Sequence, residues 1–134
     1  MTQPPQTTDL AVVDVPARCG NAPRKAFLRD FAIALYDRDR GGVAPLLSDQ
    51  VQWTLMGGST LAGAGEVIDW ISALPSAREL HLTTIITHGS ECGLDGTVTY
   101  ADGTLRAFCH IVLFTGTSHT AKIKTVRSYV TTLV

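Results

Sequence analysis

The chain has 134 residues, enough for one hydrophobic core without disulfide or metal staples. Its 45% hydrophobic and 17% charged content is that of a globular domain, and a net charge of −1 provides no whole-chain field to draw nucleic acid or an anionic membrane. No apolar stretch approaches the ~20 residues of a membrane span. The polar start Met1–Thr8 lacks the charged and apolar regions of a secretory signal, so the expected compartment is the cytoplasm.

Residues 1–20 read as a mobile tail, in which the mildly apolar stretch Leu10 to Val15 could dock onto the body. A single domain is expected over residues 21–134. Asn21 offers a helix cap and Pro23 suits a first turn. Phe27, Phe31, Ala34 and Leu35 then recur at helical spacing, and Gly41-Gly42 is expected to stop the helix. Val43 to Leu47 reads as a short second helix. Asp49 to Gly57 reads as a strand with Val51, Trp53 and Leu55 on one parity. After the Gly57-Gly58-Ser59 loop, Val67, Ile68, Ile71 and Leu74 give a third helix its apolar stripe, and Pro75 ends it.

The second half is strand-rich, with segments at Arg78–His88, Glu91–Tyr100, Leu105–Thr115 and Ala121–Leu133. Asp102-Gly103 signals a hairpin with a tight primed turn. Helices with one early strand, followed by a four-strand meander, imply an α+β fold. Within the third of these strands Phe108, His110 and Val112 share one parity, and Ala107, Ile111 and Leu113 the other. Both faces are therefore apolar, whereas a strand with one wet face should alternate. Helices can cover one face. The expected cover for the other is a second copy of the chain in a homodimer, near Ile111 and Tyr129; the alternative cover is the N-terminal tail.

Several stretches resemble the SnoaL-like proteins of the nuclear-transport-factor-2-like (NTF2-like) superfamily. They are Phe31 to Leu47 leading into Asp49-Gln-Val-Gln-Trp53, Leu61-Ala-Gly63, Phe108-Cys109-His110 through Phe114, Lys122-Ile-Lys124 and Ser128-Tyr129-Val130. The resemblance spans roughly residues 24–134. It implies a cone-shaped fold, a curved antiparallel sheet with three helices on its concave side. It also implies a small-molecule pocket, in relatives that include isomerases, cyclases, hydrolases and non-catalytic binders. In the ketosteroid isomerases of this superfamily an oxyanion-hole tyrosine, a carboxylate base and a protonated aspartate do the chemistry. Motif matching puts those positions at Phe31, Leu55 and His110. Two of the three groups are missing and the third is replaced, so that mechanism is not expected here.

His110 is the strongly polar side chain inside an apolar strand. It could serve as an acid/base or hydrogen-bond donor to a ligand, or be a buried histidine satisfied by its neighbours. The resemblance directs it into an apolar cavity, for which Trp53, Ile71, Phe108, Val112, Val126, Ser128 and Val130 are the expected ligand-binding residues. Tyr36, near the end of the first helix, either bonds across the pocket opening or faces solvent. Cys19, Cys92 and Cys109 lack metal-ligand or disulfide spacing, and His81 and His88 fall on opposite faces of their strand, so no metal is expected. No glycine-rich phosphate motif occurs, and no cofactor is expected. Three readings follow: an isomerase, cyclase or hydrolase acting on an apolar cyclic substrate; a non-catalytic binder of a small apolar molecule; or a dimerisation module whose cavity its own side chains fill. None calls for nucleic acid or a membrane.

Overall fold

A computed structural model describes residues 10–13 and 23–133; Cys19 and Asn21 lie outside them. The elements in chain order are β1 (Ala11–Val13), α1 (Pro23–Tyr36), α2 (Arg40–Val43), a 3-10 turn (Ala44–Leu46), β2 (Leu47–Leu55), β3 (Thr60–Ala62), α3 (Ala64–Ser72), β4 (Ala77–His88), β5 (Glu91–Tyr100), β6 (Leu105–Phe114) and β7 (Ile123–Thr132). All strands join one curved, unclosed sheet in the order β1-β4-β5-β6-β7-β2-β3.

The expected meander is present as β4 to β7, antiparallel throughout. The expectation of a wholly antiparallel sheet is corrected, because the sheet is mixed. β2 runs parallel to β7, and β1 runs parallel to β4. Hairpins produce only antiparallel neighbours, and both parallel pairs join strands separated by intervening elements. The β1 pairing begins beside Leu10, which is buried. β3, a short antiparallel edge on β2, falls in a stretch that sequence patterning reads as loop.

Two turns differ from expectation in instructive ways. α1 ends at Tyr36, before the glycine pair. Arg38 takes a positive φ of 58°, and the Asp39 and Arg38 amides donate to the Ala34 and Leu35 carbonyls. This is a Schellman closure with arginine in the left-handed position that usually goes to glycine. Gly41 and Gly42 lie instead inside α2, whose first turn Asp39 caps by accepting from the Gly42 amide at 3.0 Å. At the β5–β6 hairpin only Gly103 has positive φ, and its amide donates to the Tyr100 carbonyl. That is a three-residue loop, a type I turn closed by a left-handed glycine, and not the two-residue primed turn. The Asp102 carboxylate accepts from the Thr104 amide at 2.9 Å and steadies it.

The core lies between one sheet face and the helices. Phe108, His110, Val112 and Phe114 are buried on that face of β6, as their shared parity predicts. α1 buries Leu28, Phe31, Ala32, Leu35 and Tyr36. Its ring contacts run down the sheet: Phe27 on Phe114 at 5.3 Å, Phe31 on Trp53 at 5.7 Å and Tyr36 on Phe108 at 4.8 Å. α3 buries Val67 and Ile71 and sets Trp70 5.2 Å from Trp53. Emptying a fully buried phenylalanine position such as Phe31 costs roughly 3–5 kcal/mol, so these contacts hold the helices to the sheet. Gly96 marks the bend. It pairs with Leu82 where the β4 register shifts, and a Cβ there would collide with the His81 carbonyl oxygen. Such a bulge increases local twist and curves the strand.

Candidate functional site

Four side chains from four elements form a continuous hydrogen-bonded line through the core. His110 on β6 stands opposite Ser128 on β7 in the antiparallel register, and its Nδ1 lies 2.7 Å from the Ser128 Oγ. The parallel pairing of β2 with β7 sets Trp53 beside Val126, and from there the Trp53 Nε1–H donates to the same Oγ at 2.7 Å. On the other side, His110 Nε2 lies 2.8 Å from the hydroxyl of Tyr36, in the last turn of α1. The Tyr36 ring covers Phe108, which stacks on the imidazole at 5.1 Å.

The chemistry of these groups favours one direction for the line. An indole nitrogen only donates, so the Ser128 oxygen accepts from Trp53. In a head-to-tail arrangement the Ser128 hydroxyl donates to His110 Nδ1, and His110 Nε2–H donates to the Tyr36 oxygen. Each inner group then gives and receives once, and successive bonds polarise one another. The reverse arrangement makes Ser128 accept twice and leaves its own proton without an acceptor among the described residues. We therefore assign the Nε2–H tautomer. The Tyr36 O–H is left free to donate onward.

Burial sets the protonation states. Desolvation pushes the His110 imidazole down from its usual 6.5 to about 3, so it is neutral at physiological pH. Burial raises the Tyr36 phenol well above its ordinary value, with Tyr100 adding to the rise and Arg106 opposing it, so Tyr36 keeps its proton as a donor.

Beyond Tyr36 lies a cavity of about 210 Å³. Leu55, Met56, Trp70, Leu74, Val98 and Val130 form its apolar walls, while Tyr36, Tyr100, Arg106, His110 and Ser128 supply its polar groups. Of the residues expected from sequence, His110, Ser128 and Val130 line this cavity. Trp53, Ile71, Phe108, Val112 and Val126 are buried in the core behind it. Tyr36, expected either across the pocket opening or in solvent, joins the polar set, and Tyr100 and Arg106, which were not in the expectation, complete it. Their signals were present. Tyr36 sits on the i, i+4 row of Leu28 and Ala32, which is the face α1 buries. Arg106 shares the parity of Phe108 and His110, and Tyr100 shares that of Val98.

Of the ketosteroid-isomerase positions, Leu55 lines the cavity and Phe31 lies in the core. Among the described residues, no carboxylate lines the cavity. Among the described residues, no group of three or more His, Cys, Asp or Glu side chains could hold a metal ion. Nor is any described helix long and apolar enough to cross a membrane. His81 pairs with Glu79 at 2.7 Å, away from the cavity, and His119 is exposed.

No family model matches the chain, and no curated protein matches it. Solved structures do. An NTF2-like protein of unknown function from Burkholderia xenovorans LB400 is similar with a TM-score of 0.72 and 14% identity, over 84% of this chain and 85% of that one. A SnoaL-like polyketide cyclase from Shewanella denitrificans OS-217 is similar with a TM-score of 0.69 and 7% identity, over 83% and 92% of the two chains. A ketosteroid isomerase-like protein from Kribbella flavida DSM 17836 is similar with a TM-score of 0.64 and 16% identity, over 84% and 80%. The mixed curved sheet, the packing of α1 and α3 on one of its faces, and these likenesses together give the chain the NTF2-like fold.

Proposed function

We propose that this protein binds a small molecule in the cavity beside Tyr36 and holds an acceptor oxygen of that molecule on the Tyr36 hydroxyl. The observation that carries this reading is the line Trp53–Ser128–His110–Tyr36, which ends on the hydroxyl of a residue that lines the cavity. In it His110 is a positioning residue. Both its ring nitrogens are engaged, so it has no lone pair left to take a substrate proton. The helices then lie on the concave side of a cone, with the cavity toward its open end.

A second reading makes the protein an isomerase, cyclase or hydrolase of an apolar cyclic substrate. The apolar walls and the ketosteroid isomerase-like and cyclase-like structural neighbours favour it. In that reading Tyr36 would polarise a carbonyl, but among the described residues no carboxylate base lines the cavity. Binding is therefore the first reading.

The test is binding of small aromatic ketones and amides to the protein and to its Tyr36→Phe variant, by calorimetry. Loss of one hydrogen bond to a buried acceptor should weaken binding about tenfold. Equal affinities would remove Tyr36 from the site. A ligand-free check is the nitrogen NMR signature of His110, expected to show a proton on Nε2 and none on Nδ1.

The proposed assembly is a homodimer through the sheet face opposite the helices. Ile86 is 62% exposed and Tyr129 42% exposed on that face, with the half-buried Cys109 and Ile111 between them. One Asp95 carboxylate oxygen there is buried with no donor among the described residues. Arg127 and Tyr129 stand on the same face, and in a two-fold pair each protomer could offer them to its partner's carboxylate. The proposed single domain spans residues 21–134; of the tail expected over residues 1–20 only 10–13 are described, where β1 pairs with β4, and the rest lies outside the described residues. The proposed compartment is the cytoplasm, supported by Cys92 and Cys109, which are free thiols.

A further inference from the structure

Among the described residues Arg106 is the one cationic side chain in the cavity lining, and no counter-charge lines the cavity beside it. It projects from β6 on the same face as Phe108 and His110, two strand pairs from the hairpin turn. Its guanidinium lies 5.3 Å from the centre of the ring of Tyr100, which lines the same cavity. A guanidinium presents five N–H donors and has no acceptor of its own. Here the Nε is buried and has no hydrogen-bond partner among the described residues. Among the described residues no carboxylate lies within ion-pair distance of Arg106. The Asp102 carboxylate feels its charge from the exposed turn, but the Thr104 bonds hold that carboxylate first. The other described lining residues are apolar or hydroxylic, apart from His110, whose imidazole burial keeps neutral.

A half-closed apolar cavity is a costly place for a cation without a counter-charge. A chain that places one there, beside two phenolic donors, is suited to a ligand that brings the negative charge itself. Size narrows the class. The cavity's 210 Å³ equals about seven waters at ~30 Å³ each, and it lies below the common range for drug-sized ligands. One cation suits one negative charge, and a dianionic phosphate would call for more donors of charge than Arg106 supplies. We propose that the cavity takes a compact monocarboxylate, with its carboxylate on Arg106 and its apolar body against Trp70, Leu55, Leu74 and Val98. The proposal rests on the binding reading above and names the ligand class for that same cavity. The Tyr36 hydroxyl, which senses the Arg106 charge, is the second donor the acid would meet.

The experiment is calorimetry with aromatic and branched monocarboxylates ranging from isobutyrate to cinnamate, each paired with its neutral primary amide. Wild type should bind at least one acid tenfold or more tighter than its amide. Arg106→Gln should abolish that preference, bringing acid and amide to similar affinities, while Arg106→Lys should keep part of it. Tyr36→Phe should weaken acid and amide together. Acids no tighter than amides in wild type would overturn the carboxylate assignment, yet leave the Tyr36 reading standing if Tyr36→Phe still weakens both. Acids that bind through Arg106 but ignore Tyr36→Phe would keep the carboxylate assignment and overturn the Tyr36 reading. Binding of neither class would overturn both. A variant control uses Arg106→Met without ligand: it should melt no lower than wild type, because it removes an unpaired charge. A clear drop in its melting temperature would show that Arg106 serves the fold rather than a ligand.

Discussion

Lowering the pH from about 7 to about 5 should destabilise this protein through His110. The imidazole is 1% exposed, and burial depresses its folded value from 6.5 to about 3. In the unfolded chain it titrates near its ordinary value. Above that value both states hold a neutral ring, and the full stability is present. As the pH falls below it, the unfolded state takes up a proton that the folded state refuses. Stability then falls by up to ~1.4 kcal/mol per pH unit until the folded value near 3 is reached. Between about pH 7 and pH 5 the loss is about 2 kcal/mol, or roughly 8 °C in melting temperature for a chain of this length. Other groups titrate in the same window, so the measurement is a difference. Urea unfolding at each pH should be run on wild type and on His110→Gln, whose amide can still give and receive in the line but does not titrate. Wild type should lose about 2 kcal/mol more than the variant over this interval. Parallel stability curves would show that the imidazole is not held neutral by the core. The account of the Trp53–Ser128–His110–Tyr36 line would then fail with it.

Other expectations follow from the same packing. Ser128→Ala leaves the Trp53 N–H and the His110 Nδ1 without their shared partner; denaturant melts should show a loss of roughly 2–3 kcal/mol. Gly96→Ala should cost over ~2 kcal/mol or prevent soluble expression, because its Cβ meets the His81 backbone, which cannot swing aside. Gly103→Ala, with a positive φ but open space around the new methyl, should cost only about 1 kcal/mol, so the two glycines separate steric collision from backbone strain. In sedimentation, wild type should run as a dimer at micromolar concentration and Ile86→Glu combined with Tyr129→Glu as a folded monomer; a wild-type monomer would contradict the dimer proposal.

Much of the sheet could be read locally. A strand has a period of two, so the apolar residues of β4 to β6 announce both the element and its buried parity without reference to anything distant. That is why Phe108, His110 and Val112 could be assigned to one face, and why the span of β5 matches its pattern. Helix phase was less legible. Phe27 and Ala34 belong to the half-buried flank of α1, while Leu28, Ala32 and Tyr36 face the core, a rotation that hydrophobicity alone does not resolve. The end of α1 was hidden too, because a Schellman closure on Arg38 carries no glycine to signal it.

Chain patterning established that this is an α+β domain with an imidazole buried on the helix-facing side of β6. The tertiary structure decided what that imidazole touches. Tyr36 and His110 lie 74 residues apart, and Trp53 and Ser128 lie 75 apart, so no local period relates them. They meet because α1 stops one turn short of its glycines and because β2 joins β7 in parallel, a pairing that no hairpin signal could announce. Parity tells which way a side chain points. Whether it meets a neighbour or borders a void depends on where the opposing helix ends. For that reason Trp53, Phe108 and Val126 pack solidly in the core while Tyr36, Tyr100 and Arg106 surround the cavity.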